Sequence, residues 1–166
     1  MILLRRMLVI VALMFWQGGF TFYAAVVVPV GQKVLASHVR QGFITKEVTN
    51  YLNLAGAVAL VLLAWDILAC HDPSAARRRA RWLAWVIMAV CLLTLFYWHT
   101  RLDVLLDLDS ETILDRGPFR TLHRQYLWVS TLQWAAGVAY LLLTLISWQR
   151  EEERRGYGDE GYKPAK

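Results

Sequence analysis

The sequence predicts an all-α polytopic membrane protein, a four-transmembrane-helix bundle with both termini inside. Three observations carry that reading. The chain of 166 residues is 57% hydrophobic and 19% charged, whereas a soluble domain runs near half apolar and a quarter charged. The apolar excess lies in four blocks, each near the ~20 residues that a helix needs to cross the hydrocarbon core. Nearly all the charge lies between those blocks and at the ends, with a net charge of +5. No separate soluble domain is left to use that charge on nucleic acid, so the lipid bilayer is the expected partner, with a homo-oligomer or a membrane partner as further options.

The first block is "MLVIVALMFWQGGFTFYAAVVVPV", 7–30. It is longer than the 7–15 residue core of a signal peptide and lacks a small-x-small pattern before Ala24, so a retained span is expected. The second is 48–70 and the third 82–99. The fourth is apolar over 126–148, with its helix beginning at 123. Together they make a membrane domain over 1–150, followed by a disordered cytoplasmic tail over 151–166. Direction follows from Lys and Arg. The N-terminus, the 71–81 loop and the tail hold eleven (Arg5, Arg6, Arg77, Arg78, Arg79, Arg81, Arg150, Arg154, Arg155, Lys163, Lys166). The other side holds seven (Lys33, Arg40, Lys46, Arg101, Arg116, Arg120, Arg124). Both termini are therefore expected in the cytoplasm, in the plasma membrane or a bacterial inner membrane. Trp65, Trp82, Trp85 and Trp148 fall at the inner boundary and Trp98, Tyr51 and Tyr126 at the outer one, as aromatic belts do.

The longest connection, 100–122, continues the third helix outward through Leu102, Leu105, Leu106 and Leu108 or bends along the surface. Asp109 or Ser110 can cap a short helix that Gly117-Pro118 stops. Asp107, Asp109 and Glu111 mimic the start of a calcium loop, but Thr112 stands where the loop needs Gly and Pro118 where it needs Glu. A solvated acidic turn is expected.

The candidate site comes from the fourth span. Steps of three and four give His123, Tyr126, Ser130, Gln133, Gly137, Tyr140 and Thr144, all polar or small. Such a line keeps one face toward a neighbouring helix. Lipid offers these groups no hydrogen bonds, so they should face protein or water. Polar bonding between helices accounts for such a seam at about 0.6–2 kcal/mol per bond. Its distribution favours something more. Asn50, Asn53, Thr94, His123, Tyr126, Ser130 and Gln133 all fall in the outer half or at its rim, which fits an outward-facing polar pocket for a small polar ligand, an ion or a partner helix. Asp66 is the polar exception on the inner side, within reach of Arg77–Arg81. An echo of "NLAGAVALVLLAW" in "QWAAGVAYLLLTL" sets Asn53 against Gln133 and hints at two related hairpins. No nucleophile–base pair, phosphate loop or carboxylate dyad is readable, so a non-enzymatic role is expected.

The competing class is a metal- or haem-binding protein, in transport or redox, using His38, His99 and His123 on the outer side as ligands to haem, copper or zinc. None of them has ligand spacing within one element. Cys70 and Cys91 sit at different expected depths, which argues against a disulfide.

"GGFTFYAAVVVP" in the first span and "FRTLHRQYLWVS" opening the fourth resemble the four-span family named for transmembrane protein 205, whose bacterial relatives form a membrane domain of unassigned activity. The resemblance rests on Gly19, Phe20, Pro29, Phe119 and His123 and covers about residues 8–148. It implies the four-span fold. The family often has Gly after that histidine and Asn further on. Here Arg124 follows, and Ser130 stands near the Asn position. A more distant similarity to four-helix copper-handling and haem-biosynthesis domains implies the metal reading.

Overall fold

The computed structural model describes residues 2–107 and 112–160. Four helices are long and apolar enough to cross a membrane, and they pack as one bundle. They are α1 (Ile2–Leu35), α2 (His38–Ala69), α3 (Ala75–Asp103) and α4 (Arg116–Glu160). All four outrun the apolar blocks, because the polar residues flanking each block continue the helix. α4, at 45 residues, is about 68 Å long, over twice the ~30 Å hydrocarbon core.

α1 is not a uniform α-helix. It widens into π-helical turns at Met14–Gly18 and Tyr23–Val27. The second has a local cause. Pro29 lacks an N–H and its ring crowds the carbonyl four residues earlier, at Ala25, inside that wider turn. Ala36 ends α1 in the left-handed region at φ 48°. Ser37 then caps α2, its Oγ accepting the Arg40 N–H at 3.3 Å. At the other end Asp72 Oδ1 accepts the Ser74 N–H at 2.8 Å, and Ser74 Oγ accepts the Arg77 N–H at 3.3 Å to open α3. Two short turns thus join three helices antiparallel.

The α3–α4 connection differs from expectation. Helix α3 stops at Asp103, and Leu106–Asp107 pairs antiparallel with Thr112–Ile113 (β1 and β2). Asp109, Ser110 and Glu111, the expected cap and acidic run, lie outside the described residues. Gly117-Pro118 does not stop a helix but opens α4. Asp115 Oδ1 accepts the Gly117 N–H at 3.0 Å, and a first helical turn tolerates proline because its N–H has no partner there anyway. The first part of the expected tail extends α4, which Glu and Arg tolerate well: the helix continues to Glu160. Glu151 is only 3% exposed, and Arg5 and Arg6 of α1 pair with Glu151 and Glu152.

The core runs along the centre through Val9, Leu13 and Trp16 of α1, Leu60, Leu63 and Ile67 of α2, Ala84, Met88 and Leu92 of α3, and Ala136 and Tyr140 of α4. Gly56 admits a close approach of α1 to α2, since a Cβ there would lie 2.7 Å from the Trp16 ring. The outward faces are apolar too: Leu127, Leu132, Leu142 and Leu145 of α4 are exposed.

Candidate functional site

α4 carries a polar line through the whole bundle. Tyr126, Ser130, Gln133, Gly137, Tyr140 and Thr144 are all buried, and the same steps continue through Ser147 to Glu151, also buried. His123 begins the line in sequence but is exposed, its ring stacked on Phe119 with centroids 5.9 Å apart. At Gly137 the missing side chain leaves room for the Gln17 amide of α1, whose Nε2 lies 2.6 Å from where a Cβ would be.

Toward the α1–α2 turn, this line opens on a cavity of about 10 Å³, room for about one water. Trp16 and Phe20 of α1, Thr49, Leu52 and Asn53 of α2, Leu95 of α3, and Tyr126, Ser130 and Gln133 of α4 line it. Asn53 Nδ2 donates to Tyr126 Oη at 3.2 Å. Gln133 Nε2 donates to the Met88 carbonyl at 3.2 Å. Ser130 Oγ has no hydrogen-bond partner among the described residues, although Ser130 is only 3% exposed.

The fold brings together four of the seven residues proposed for a pocket: Asn53, Tyr126, Ser130 and Gln133. The other three lie elsewhere. Asn50 is exposed, Thr94 donates to its own helix at Val90 O (2.9 Å), and His123 stacks on Phe119. Sequence reasoning missed Thr49, and with it Gln41 and Thr45 on the same face of α2 and Tyr23 of α1. Equal spacing by four was the signal. Tyr126, expected both at the outer boundary and in the pocket, is buried against Asn53.

The histidines do not converge among the described residues. His99 Nε2 lies 3.7 Å from Asp103 Oδ2, and His123 is stacked as above. The His38 side chain lies outside the described residues. Among the described residues no group of three or more His, Cys, Asp or Glu side chains is placed to hold a metal ion. Cys70 and Cys91 are free, buried thiols.

At the opposite end, where Arg5 of α1 and Ser147–Glu151 of α4 meet the α2–α3 turn, lies a cluster that sequence reasoning caught only in part. Asp66, 0% exposed, accepts from Arg81 Nη2 at 2.5 Å and Trp148 Nε1 at 3.2 Å, and Arg5 Nε lies 3.0 Å from it. Arg5 Nη2 also reaches Glu151 Oε2 at 2.8 Å. Arg81 touches Ser147 Oγ and Tyr140 Oη, each at 3.3 Å. Every helix therefore contributes a buried charge: Arg5, Asp66, Arg81 and Glu151. The expectation that Arg77–Arg81 compensate Asp66 holds for Arg81, while Arg77 grips Asp72 through two bonds of 2.6 Å. Trp148, expected in the belt, is buried because its indole N–H is committed to Asp66. Burial alone would raise the Asp72 carboxyl. Arg77, the Ser147 hydroxyl and the Ser74 N–H outweigh it and hold Asp72 at about 2.

The two ends differ in chemistry. The charged end balances two cations against two anions in contact, the arrangement that buried ions require. The void offers hydroxyls, a phenol and amides, with no acid or base in its lining. It can bind by hydrogen bonding and has no group to activate Ser130 as a nucleophile. Comparison with protein-family models, curated proteins and solved structures gives no match to this chain.

Proposed function

We propose that this chain is an integral protein of the plasma membrane, or of the inner membrane in a bacterium, and that it holds a small polar ligand in the void around Ser130. In this conformation the ligand is about the size of a water. The observation that carries this is Ser130 Oγ, buried without a hydrogen-bond partner among the described residues, beside a void whose other polar walls are Asn53, Tyr126, Gln133 and Thr49. An unmade hydrogen bond on a buried hydroxyl costs about 1–3 kcal/mol, and a bound polar molecule removes that cost.

The test is polarisation transfer from water to the protein in lipid bilayers, read on labelled serine and tyrosine. Ser130 and Tyr126 are expected to gain signal nearly as fast as exposed residues, and Ser130→Val to abolish the gain at Tyr126. Slow transfer at both residues in the unaltered chain rules the reading out.

Both termini are proposed to be cytoplasmic, on the strength of the lysine and arginine bias. This places the charged cluster at the inner end and the void in the outer half. A cysteine introduced at Asp115 is then expected to react with an impermeant thiol reagent on intact cells. Reaction only after permeabilisation reverses the orientation. Kinship with the transmembrane protein 205 family is proposed on the sequence resemblance alone, which includes Phe119 and His123, here a stacked pair one helical turn apart.

A further inference from the structure

We propose that α2 carries a one-ended inlet for uncharged, water-sized solutes, leading from the α1–α2 turn down to Ser130. The proposal rests on reading the void as a ligand site. Gln41, Thr45, Thr49 and Asn53 follow one another at intervals of four residues, which sets them in a single stripe along the helix. Phenols from two other helices tie the stripe together. Gln41 Nε2 donates to Tyr23 Oη at 3.4 Å, and Tyr23 Oη donates to Thr45 Oγ1 at 3.0 Å. Further down, Thr49 lines the void and Asn53 bonds Tyr126.

Ser130 Oγ at the foot of the stripe points to an occupant: it lacks a hydrogen-bond partner among the described residues, and Ser130 is only 3% exposed. Gln41 Oε1 at the top, equally buried, also lacks one among the described residues and packs against Gly31, which has no side chain to displace it. Between them Thr45 and Thr49 are half-buried, not sealed. A file of small hydrogen-bonding molecules would satisfy both ends.

The lining also fixes the chemical class. Its polar groups are amides, hydroxyls and phenols, and among the described residues no Asp, Glu, Lys or Arg borders the void. The Lys46 and Asp103 charges at this end face each other at 3.5 Å. A charged solute would lose its hydration with no counter-charge to meet it, whereas a neutral one merely exchanges hydrogen bonds. The route ends at Gln133, whose amide is committed to the Met88 carbonyl. Beyond it Met88, Leu63 and Tyr140 are each 0% exposed, so the feature is an inlet and not a pore.

The experiment uses the full chain in lipid nanodiscs with Cys70→Ser and Cys91→Ala. Single cysteines replace Thr45, Thr49 or Ser130 along the route, Gln32 at the exposed rim, Ala136 past the closure, and Val58 on the outward face. Each reacts with hydrogen peroxide, a neutral thiol oxidant of nearly water's size, and with silver ion, a thiol-binding cation of similar size. With the neutral reagent, Thr45→Cys, Thr49→Cys and Ser130→Cys should react at least about tenfold faster than Ala136→Cys and Val58→Cys. Silver ion, normalised to Gln32→Cys, should lag at Thr49→Cys and Ser130→Cys by about tenfold or more, since burying an unpaired charge is unfavourable. Should Ser130→Cys fail to fold, the two threonine positions decide. Thr45→Cys and Thr49→Cys reacting no faster than Ala136→Cys overturns the inlet, and equal rates with silver ion overturn its selectivity for neutral solutes. Water transfer to Ser130 alongside unreactive threonine positions would sink the inlet and leave the void reading standing. Absent transfer sinks the void reading itself.

Discussion

Asp66→Ala is expected to destabilise the protein by about 3–5 kcal/mol, the usual cost of removing one partner from a buried ion pair. Asp66 is the anion at the centre of the charged cluster, met by Arg5, Arg81 and the Trp148 indole. Without it Arg5 keeps Glu151, but Arg81 keeps only the hydroxyls of Ser147 and Tyr140. A guanidinium 0% exposed is then left without a counter-ion. Most of the loss is the penalty on that stranded cation, not the net worth of the pair. Adding Arg81→Met to Asp66→Ala should therefore recover a large part of the stability, because an apolar side chain of similar length fills the site without charge. The measurement is reversible unfolding in mixed detergent micelles, as a double-mutant cycle. A loss below about 1 kcal/mol for Asp66→Ala, or a double variant no better than the single one, would show that the cluster does not act as a coupled unit.

Gly56→Leu should be the most damaging substitution at any glycine of α2. Even a single Cβ there would lie 2.7 Å from Trp16 ring atoms, and Trp16 is itself only 3% exposed. Overpacking of this kind costs about 1–3 kcal/mol for one added carbon and more for a branched side chain. α1 must then lift from α2, which also strips Trp16 and Phe20 from the wall of the void. Gly42 supplies the contrast on the same helix. A Cβ there meets nothing within 4 Å, so Gly42→Ala should stabilise by about 0.5–1 kcal/mol through helix propensity alone. Trp16→Phe should partly rescue Gly56→Ala by shrinking the opposing ring. Equal unfolding midpoints for Gly56→Ala and Gly42→Ala would contradict the close approach.

The sequence made the α4 seam legible because polar residues in an apolar run are few and their period is unambiguous. The line from Tyr126 to Thr144 is buried throughout. It was cut short at Thr144 because the charged stretch after Trp148 reads as tail. The same steps run on to Ser147 and Glu151. The α2 stripe was hidden for a related reason. A span judged by apolarity starts at 48, whereas α2 begins at His38, and Gln41 and Thr45 fall in the missing turns. Asn50 and Thr94 were grouped with the pocket by depth alone, and depth does not say which way a side chain faces. The cluster around Asp66 was beyond reach as a whole. Its partners come from four helices, and no local spacing joins Arg5 to Glu151.

That last pairing bears on how the molecule is made. Arg5 and Glu151 are 146 residues apart, so the contact closing the charged end joins α1 to a helix synthesised three spans later. Until the final helix arrives, the nascent chain carries Arg5 beside Asp66 and Arg81 without the second carboxylate. Such long-range closure cannot be assembled hairpin by hairpin and comes late. The docking of α4 thus supplies Glu151 as a second counter-charge to Arg5, which otherwise shares Asp66 with Arg81.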